Sequence, residues 1–97
     1  MLKAYLLVFS SIPKTEIKDT LEKMTNIKHW RSDMSNCFYV ISESSAQELY
    51  EEFISIRGSK GRFIFMEASD NRQGLLTKET WYLLRNKKRK PPEESDQ

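Results

Sequence analysis

Apolar residues cluster in four short segments whose patterning predicts β-strands. Residues 2–10 are apolar at both odd and even positions, which predicts a central strand covered on both faces. Residues 27–33 and 36–42 predict a hairpin, with turn residues supplied by the "DMSN" stretch. Its first strand is polar and its second apolar, as expected of an edge strand beside a central one. The "GRFIFMEAS" segment predicts a fourth strand.

Three segments have the apolar spacing of amphipathic helices. After Pro13, Ile17, Leu21 and Met24 form one stripe. A second helix is expected from an N-cap at Ser44 or Ser45 to a stop at Gly58. A shorter C-terminal helix is expected after Thr77, with a basic last turn.

The predicted order of elements is β-α-β-β-α-β followed by a short helix. This order predicts an α+β, ferredoxin-like sandwich, with a four-stranded antiparallel sheet and two helices on one face. We expect one domain over residues 1–86 and a charged, disordered tail over residues 87–97.

Two helices can cover only one face of such a sheet, so large apolar side chains are expected on the other. An exposed apolar face of that size indicates a partner, and dimerisation through this face and the edge next to the fourth strand is expected. The predicted interface residues are Tyr5, Phe9, Phe63, Phe65, Trp81 and Leu84, with Trp81 and Leu84 folded over the face as a cover.

Charge and cysteine content narrow the class of protein. The 97 residues contain 16 Lys and Arg against 14 Asp and Glu, a net charge of +2, unlike a dedicated nucleic-acid-binding domain. The single cysteine, Cys37, lies in an apolar run and is expected to be a buried, inert thiol. No apolar run has the length of a membrane span, so we expect a cytoplasmic protein that does not engage a membrane.

The basic side chains are candidates for phosphate contacts if they meet on one surface. Since acidic residues are interspersed among them, a solvated surface is an equally open interpretation. The candidate residues for nucleic-acid binding are Lys28, Arg31, Lys60, Arg62, Lys87, Lys88, Arg89 and Lys90.

Candidates for catalysis are few. His29 is the only histidine, and a lone histidine on an edge strand is usually a surface residue. The polar "SDNRQG" segment, residues 69–74, is either a recognition loop or a turn. We predict no catalytic residues, no metal site and no cofactor.

The strand "KAYLLVFS", the stretch "NIKHWRSDMSNCFYVISESSAQELYEEF" and the strand "RFIFMEAS" resemble the small ferredoxin-like family of the CRISPR adaptation subunit, with its endoribonuclease-like fold, and its SinR-like relatives. The resemblance implies a homodimer and, in nuclease-like members, a metal held by an aspartate at the end of the first strand. Here that strand ends in Phe9, Ser10 and Ser11, with no acid before Glu16. Because Mg²⁺ needs carboxylate oxygens, the departure disfavours a metal-dependent nuclease.

Three functions are therefore expected, in decreasing order. The first is a non-catalytic dimeric protein that binds RNA or DNA through the basic residues. The second is a protein-interaction or regulatory module of a microbial defence or counter-defence system. The third, disfavoured, is a metal-dependent nuclease relying on carboxylates such as Asp33, Glu67 or Asp70.

Overall fold

The computed structural model describes residues 1–89 and shows four strands and three helices. Lys90 and the remainder of the predicted tail lie outside the described residues. The elements are β1 (Lys3–Ser10), α1 (Lys14–Lys23), β2 (Ile27–Met34), β3 (Cys37–Ser42), α2 (Ala46–Arg57), β4 (Arg62–Glu67) and α3 (Lys78–Asn86).

The four strands form one antiparallel sheet in the order β2-β3-β1-β4. This confirms the ferredoxin-like α+β fold, with β1 and β3 in the centre and the polar β2 at an edge. At the start of α2, Ser45 and Glu48 form a reciprocal capping box, and Gly58 ends the helix at a φ of 85°, a conformation that glycine adopts without strain.

The first face of the sheet carries Tyr5, Leu7 and Phe9 of β1, and helices α1 and α2 cover it. These side chains pack with Ile17 of α1 and Phe53 of α2 in one buried cluster. Phe38, Val40 and Phe65 belong to the same cluster. This is the main core of the protein.

The placement predicted for four aromatic rings is wrong. Tyr5, Phe9 and Phe65 are buried in the main core beneath the helices, and Phe63 packs against it, so none of them lies on the open face. The prediction reversed the two faces, because a strand that is apolar on both sides does not reveal which side the helices cover.

The second face carries Ala4, Leu6 and Val8 of β1 and is partly covered by α3. Leu83 and Leu84 of α3 are buried against it. Leu84 and the half-buried Trp81 therefore form a cover, as predicted. Within residues 1–89, none of the helices has the length and apolar character needed to cross a membrane.

Replacing Leu83 with alanine tests whether α3 is part of the folded domain. Its side chain is 1% exposed, so Leu83→Ala should lower the free energy of unfolding by about 2–5 kcal/mol, measured by chemical denaturation. The control is Leu75→Ala, where the leucine is 99% exposed and a change within about 0.5 kcal/mol is expected. Equal small effects at both positions would show that α3 does not contribute to stability.

Candidate interaction surfaces

Helix α3 is fixed to strand β2 by two charged side chains. The Arg31 guanidinium donates hydrogen bonds to the Thr80 hydroxyl, at 2.9 Å, and to the Thr77 hydroxyl, at 3.3 Å. The Asp33 carboxylate accepts from the Thr77 backbone N–H at 3.1 Å. Since Thr77 is the N-cap of α3, these contacts set where the helix begins over the second face.

The basic candidates do not form one surface. Lys28 and Arg31 lie on β2, whereas Arg62 begins β4 and Lys60 just precedes it. Strands β2 and β4 are the two edges of the sheet, separated by three strand spacings, or about 14 Å. The Arg31 guanidinium also donates hydrogen bonds to Thr77 and Thr80 at the start of α3, so these donors are not all available to a phosphate.

The chain after α3 returns to the β2 edge. Lys87 adopts a left-handed conformation at the C-cap, and Arg89 then donates to the Trp30 carbonyl oxygen at 3.1 Å. The Arg89 guanidinium also lies over the Trp30 ring, 5.7 Å from its centroid. Lys28 is exposed on the same strand, so this edge combines an aromatic ring with several cations.

A cavity of about 360 Å³ lies between β2 and α3 at this edge. Its lining includes Trp30, Arg31, Glu79 and Arg89. Glu79 lies 4.0 Å from Arg31, so one of the two arginines already has an acidic neighbour. Arg89 is the cation left to attract an anion here.

The side chains that could take part in chemistry are buried or lie apart from one another. Cys37 is buried and unpaired by disulfide, and burial raises the pKa of its thiol, which keeps it in the less nucleophilic neutral form. Burial together with the nearby Cys37 and Asp33 raises the pKa of the Tyr39 hydroxyl to about 12. Among residues 1–89, no three His, Cys, Asp or Glu side chains are grouped as metal ligands.

The "SDNRQG" loop turns back on itself. Arg72 donates to the Ser69 carbonyl at 3.0 Å, and its guanidinium lies 3.8 Å from the Asp70 carboxylate. Beyond it, Leu75 projects outward and is almost fully exposed. An apolar groove of about 470 Å³ lies between this loop, α3 and the second face.

The second face remains uncovered beside β4. In the register of β1 with β4, Val8 lies opposite Ile64 and Leu6 opposite Met66, and opposite residues share a face. Ile64 is 53% exposed and Met66 is 48% exposed. We call these four residues, Leu6, Val8, Ile64 and Met66, the β4 patch.

The first face is also apolar at the β4 edge. The ring of Phe63 stacks on that of Tyr50 of α2, with centroids 5.8 Å apart, and Tyr50 is 45% exposed. The edge strand β4 therefore carries accessible apolar side chains on both of its faces.

The two edge strands differ in how they are protected. Strand β2 has register irregularities at two places in its pairing with β3 and carries charged residues, both features that discourage pairing with another chain. Strand β4 pairs with β1 in continuous register from Arg62 to Glu67, and its charged residues are only these first and last positions, with four apolar residues between them. Of these two edges, β4 is the one suited to accept a further strand.

Sequence reasoning missed both the anchoring role of Arg31 and Asp33 and the exposure of Ile64 and Met66. The first depends on a contact between residues more than 40 positions apart. The second had a weak signal in the alternation of β4, which places Ile64 and Met66 on the other face of the strand from Phe63 and Phe65.

Comparison with protein-family models, with curated proteins and with solved structures finds no match.

The pKa of His29 reports on the packing at the β2 edge. Burial, and secondly the Arg89 cation, lower the pKa of this imidazole below its usual value of about 6.5. Because the folded state resists protonation, His29 contributes stability that is present above the unfolded pKa and lost as pH falls through the folded pKa.

An NMR titration of the single histidine should therefore give a midpoint below about 6.5. Arg89→Gln should move it upward, whereas Lys60→Gln at the opposite edge should leave it unchanged. A midpoint at or above the usual value in the unsubstituted protein would contradict the packing of His29 described here.

Proposed function

We propose that this protein is a non-catalytic interaction module that binds another polypeptide as an added strand along β4. The observation that carries the proposal is the unprotected β4 edge, flanked by Ile64 and Met66 on one face and by Phe63 and Tyr50 on the other. Strand addition uses such an edge because backbone hydrogen bonds supply affinity and the flanking side chains supply specificity.

The proposal is supported by the geometry of the rest of the sheet. The opposite edge is irregular and charged, and α3 closes the adjoining part of the second face. A strand that adds to β4 would place its own side chains beside Ile64 and Met66, the two residues of the β4 patch that lie at the edge and that α3 leaves uncovered. The resemblance to the CRISPR adaptation subunit family adds the proposal that this binding serves a microbial defence or counter-defence system.

The chemistry of the candidate reactive groups supports a non-catalytic role. The Cys37 thiol is buried with a raised pKa, so it is a poor nucleophile at neutral pH. The end of β1 offers Ser10 and Ser11 in place of a carboxylate. A residual metal-dependent nuclease stays the least supported reading.

Ile64→Glu should abolish partner binding, because it places a charge at the centre of the β4 edge. Tagged wild-type and variant proteins would be incubated with an extract of the source organism and an untagged copy of the chain, and bound polypeptides quantified by mass spectrometry. Leu75→Glu is the matched control, since it adds the same charge at a more exposed leucine.

The proposal is supported if a polypeptide, the untagged copy included, is retained by wild type and by Leu75→Glu and its recovered amount falls at least tenfold with Ile64→Glu. Equal recovery by all three proteins would overturn it. Circular dichroism and thermal unfolding of each variant confirm that the comparison is made between folded proteins.

A second candidate function, nucleic-acid binding, is favoured by the basic group at the β2 edge. Lys28, Lys88 and Arg89 are exposed, and Arg89 lies on the Trp30 ring. Cations beside an aromatic ring can contact phosphates and stack a base. Lys60 and Arg62 belong to the other edge, so this group does not include them.

This division of the cations gives the test its control. Lys28→Glu with Lys88→Glu should weaken binding of labelled RNA or DNA and reduce the slope of log affinity against log salt by about 2, measured by fluorescence anisotropy. Lys60→Glu with Arg62→Glu makes the same change in net charge at the opposite edge. Equal losses in both double variants would indicate a diffuse charge effect and contradict a site at β2.

A further inference from the structure

We infer that the strand accepted by β4 is β4 of a second copy of this chain, paired antiparallel about a two-fold axis that passes beside Phe65. This inference rests on the proposed function and names its partner. It is carried by the hydrogen-bonding groups of the free edge and by the exposed side chains that β4 presents on the second face.

The free hydrogen-bonding groups of β4 belong to alternate residues. The Ala68 backbone N–H donates to the Ala4 carbonyl oxygen at 2.8 Å, so the even-numbered residues of this segment direct their backbone groups toward β1. Because backbone groups of successive residues point to opposite sides of a strand, those of Phe63, Phe65 and Glu67 point to the open edge.

Backbone pairing then selects the register. When Phe65 lies opposite the partner's Phe65, Phe63 lies opposite the partner's Glu67, and all three outward-facing residues of β4 form hydrogen-bonded pairs. If Ile64 were instead centred on the axis, Glu67 would face the partner's Gly61, which lies outside the strand at a φ of 84°. The register centred on Phe65 therefore pairs more of the backbone N–H and C=O groups that β4 directs to the open edge.

The same register matches the exposed apolar side chains. Ile64 comes to lie directly opposite the partner's Met66 on the second face, and Met66 opposite the partner's Ile64. Such non-hydrogen-bonded pairs bring side chains closest together, with Cα atoms about 4.5 Å apart. Both half-exposed residues of β4 thus gain an apolar neighbour.

The charged residues of β4 do not meet a like charge in this register. Strand β4 begins with the cation Arg62 and ends with the anion Glu67, whose side chains project from opposite faces of the sheet because successive side chains alternate. Arg62 lies opposite the partner's Ala68 and Glu67 opposite the partner's Phe63, so neither charge is placed across from a like charge.

The resulting assembly is a closed dimer. A two-fold axis perpendicular to the sheet joins the two sheets into one of eight strands, with α1 and α2 of both copies on the same side. The outer edges of this sheet are the two β2 strands, whose irregular register opposes further addition. Pairing at β4 thus ends at two copies.

Hydrogen exchange by NMR tests the arrangement, with oligomeric state followed by analytical ultracentrifugation. The full chain should be dimeric, and the amides of Phe63, Phe65 and Glu67 should be protected at high concentration. Ile64→Glu should give a monomer in which these three amides exchange at least tenfold faster. The amides of Ile64 and Met66 should remain slow, because they pair with β1.

Cysteine cross-linking tests the register. A mixture of Ile64→Cys and Met66→Cys proteins, oxidised with glutathione disulfide, should form a cross-linked heterodimer, since directly opposite Cα atoms lie within disulfide range. Ile64→Cys alone should cross-link poorly, because its counterpart is a diagonal neighbour about 7–8 Å away. Leu75→Cys controls for random collisions. Efficient cross-linking of Ile64→Cys alone would overturn the register.

A monomer at all concentrations, or a dimer whose Phe63, Phe65 and Glu67 amides are unprotected, would overturn self-pairing. If the monomer nevertheless captured a different polypeptide that was lost with Ile64→Glu, strand addition would stand and only the identity of the partner would fail. If neither the dimer nor the capture of another polypeptide were observed, the proposed function would be overturned as well.

Discussion

The central strands β1 and β3 bury side chains on both faces of the sheet, and the rest of the structure depends on how three helices are divided between those faces. Helices α1 and α2 enclose the aromatic main core on the first face. The second face receives α3 alone, which buries Leu83 and Leu84 over its middle. Since one short helix cannot span four strands, the part of the sheet beside β4 stays open.

The position of α3 decides which part of the second face is left open. Arg31 and Asp33 of β2 hold its first turn through Thr77 and Thr80, so the helix lies toward the β2 side. The same contacts hold Arg31 in hydrogen bonds to α3, and the chain that follows α3 places Arg89 on Trp30. Polar anchoring at one edge and apolar exposure at the other are consequences of one helix placement.

The candidate sites could be predicted from sequence only in part. The sequence correctly indicated a buried Cys37 and a cover formed by Trp81 and Leu84. It did not indicate that the basic residues divide between two edges, because strand order determines which residues are neighbours across a sheet. It assigned Tyr5, Phe9, Phe63 and Phe65 to the wrong face, since alternation defines two sides of a strand without saying what covers each.

The sequence by itself determined the elements, their order and the fold class, because periodicity and capping residues act over a few neighbouring positions. Ser45, Glu48 and Gly58 show this, with their capping and stop roles visible in the sequence and present in the structure. Only the tertiary structure decided which face the helices cover, where α3 rests and which edge of the sheet remains free. Those outcomes depend on contacts between residues far apart in the chain, such as Arg31 with Thr80 and Ala4 with Ala68, which local patterns do not encode.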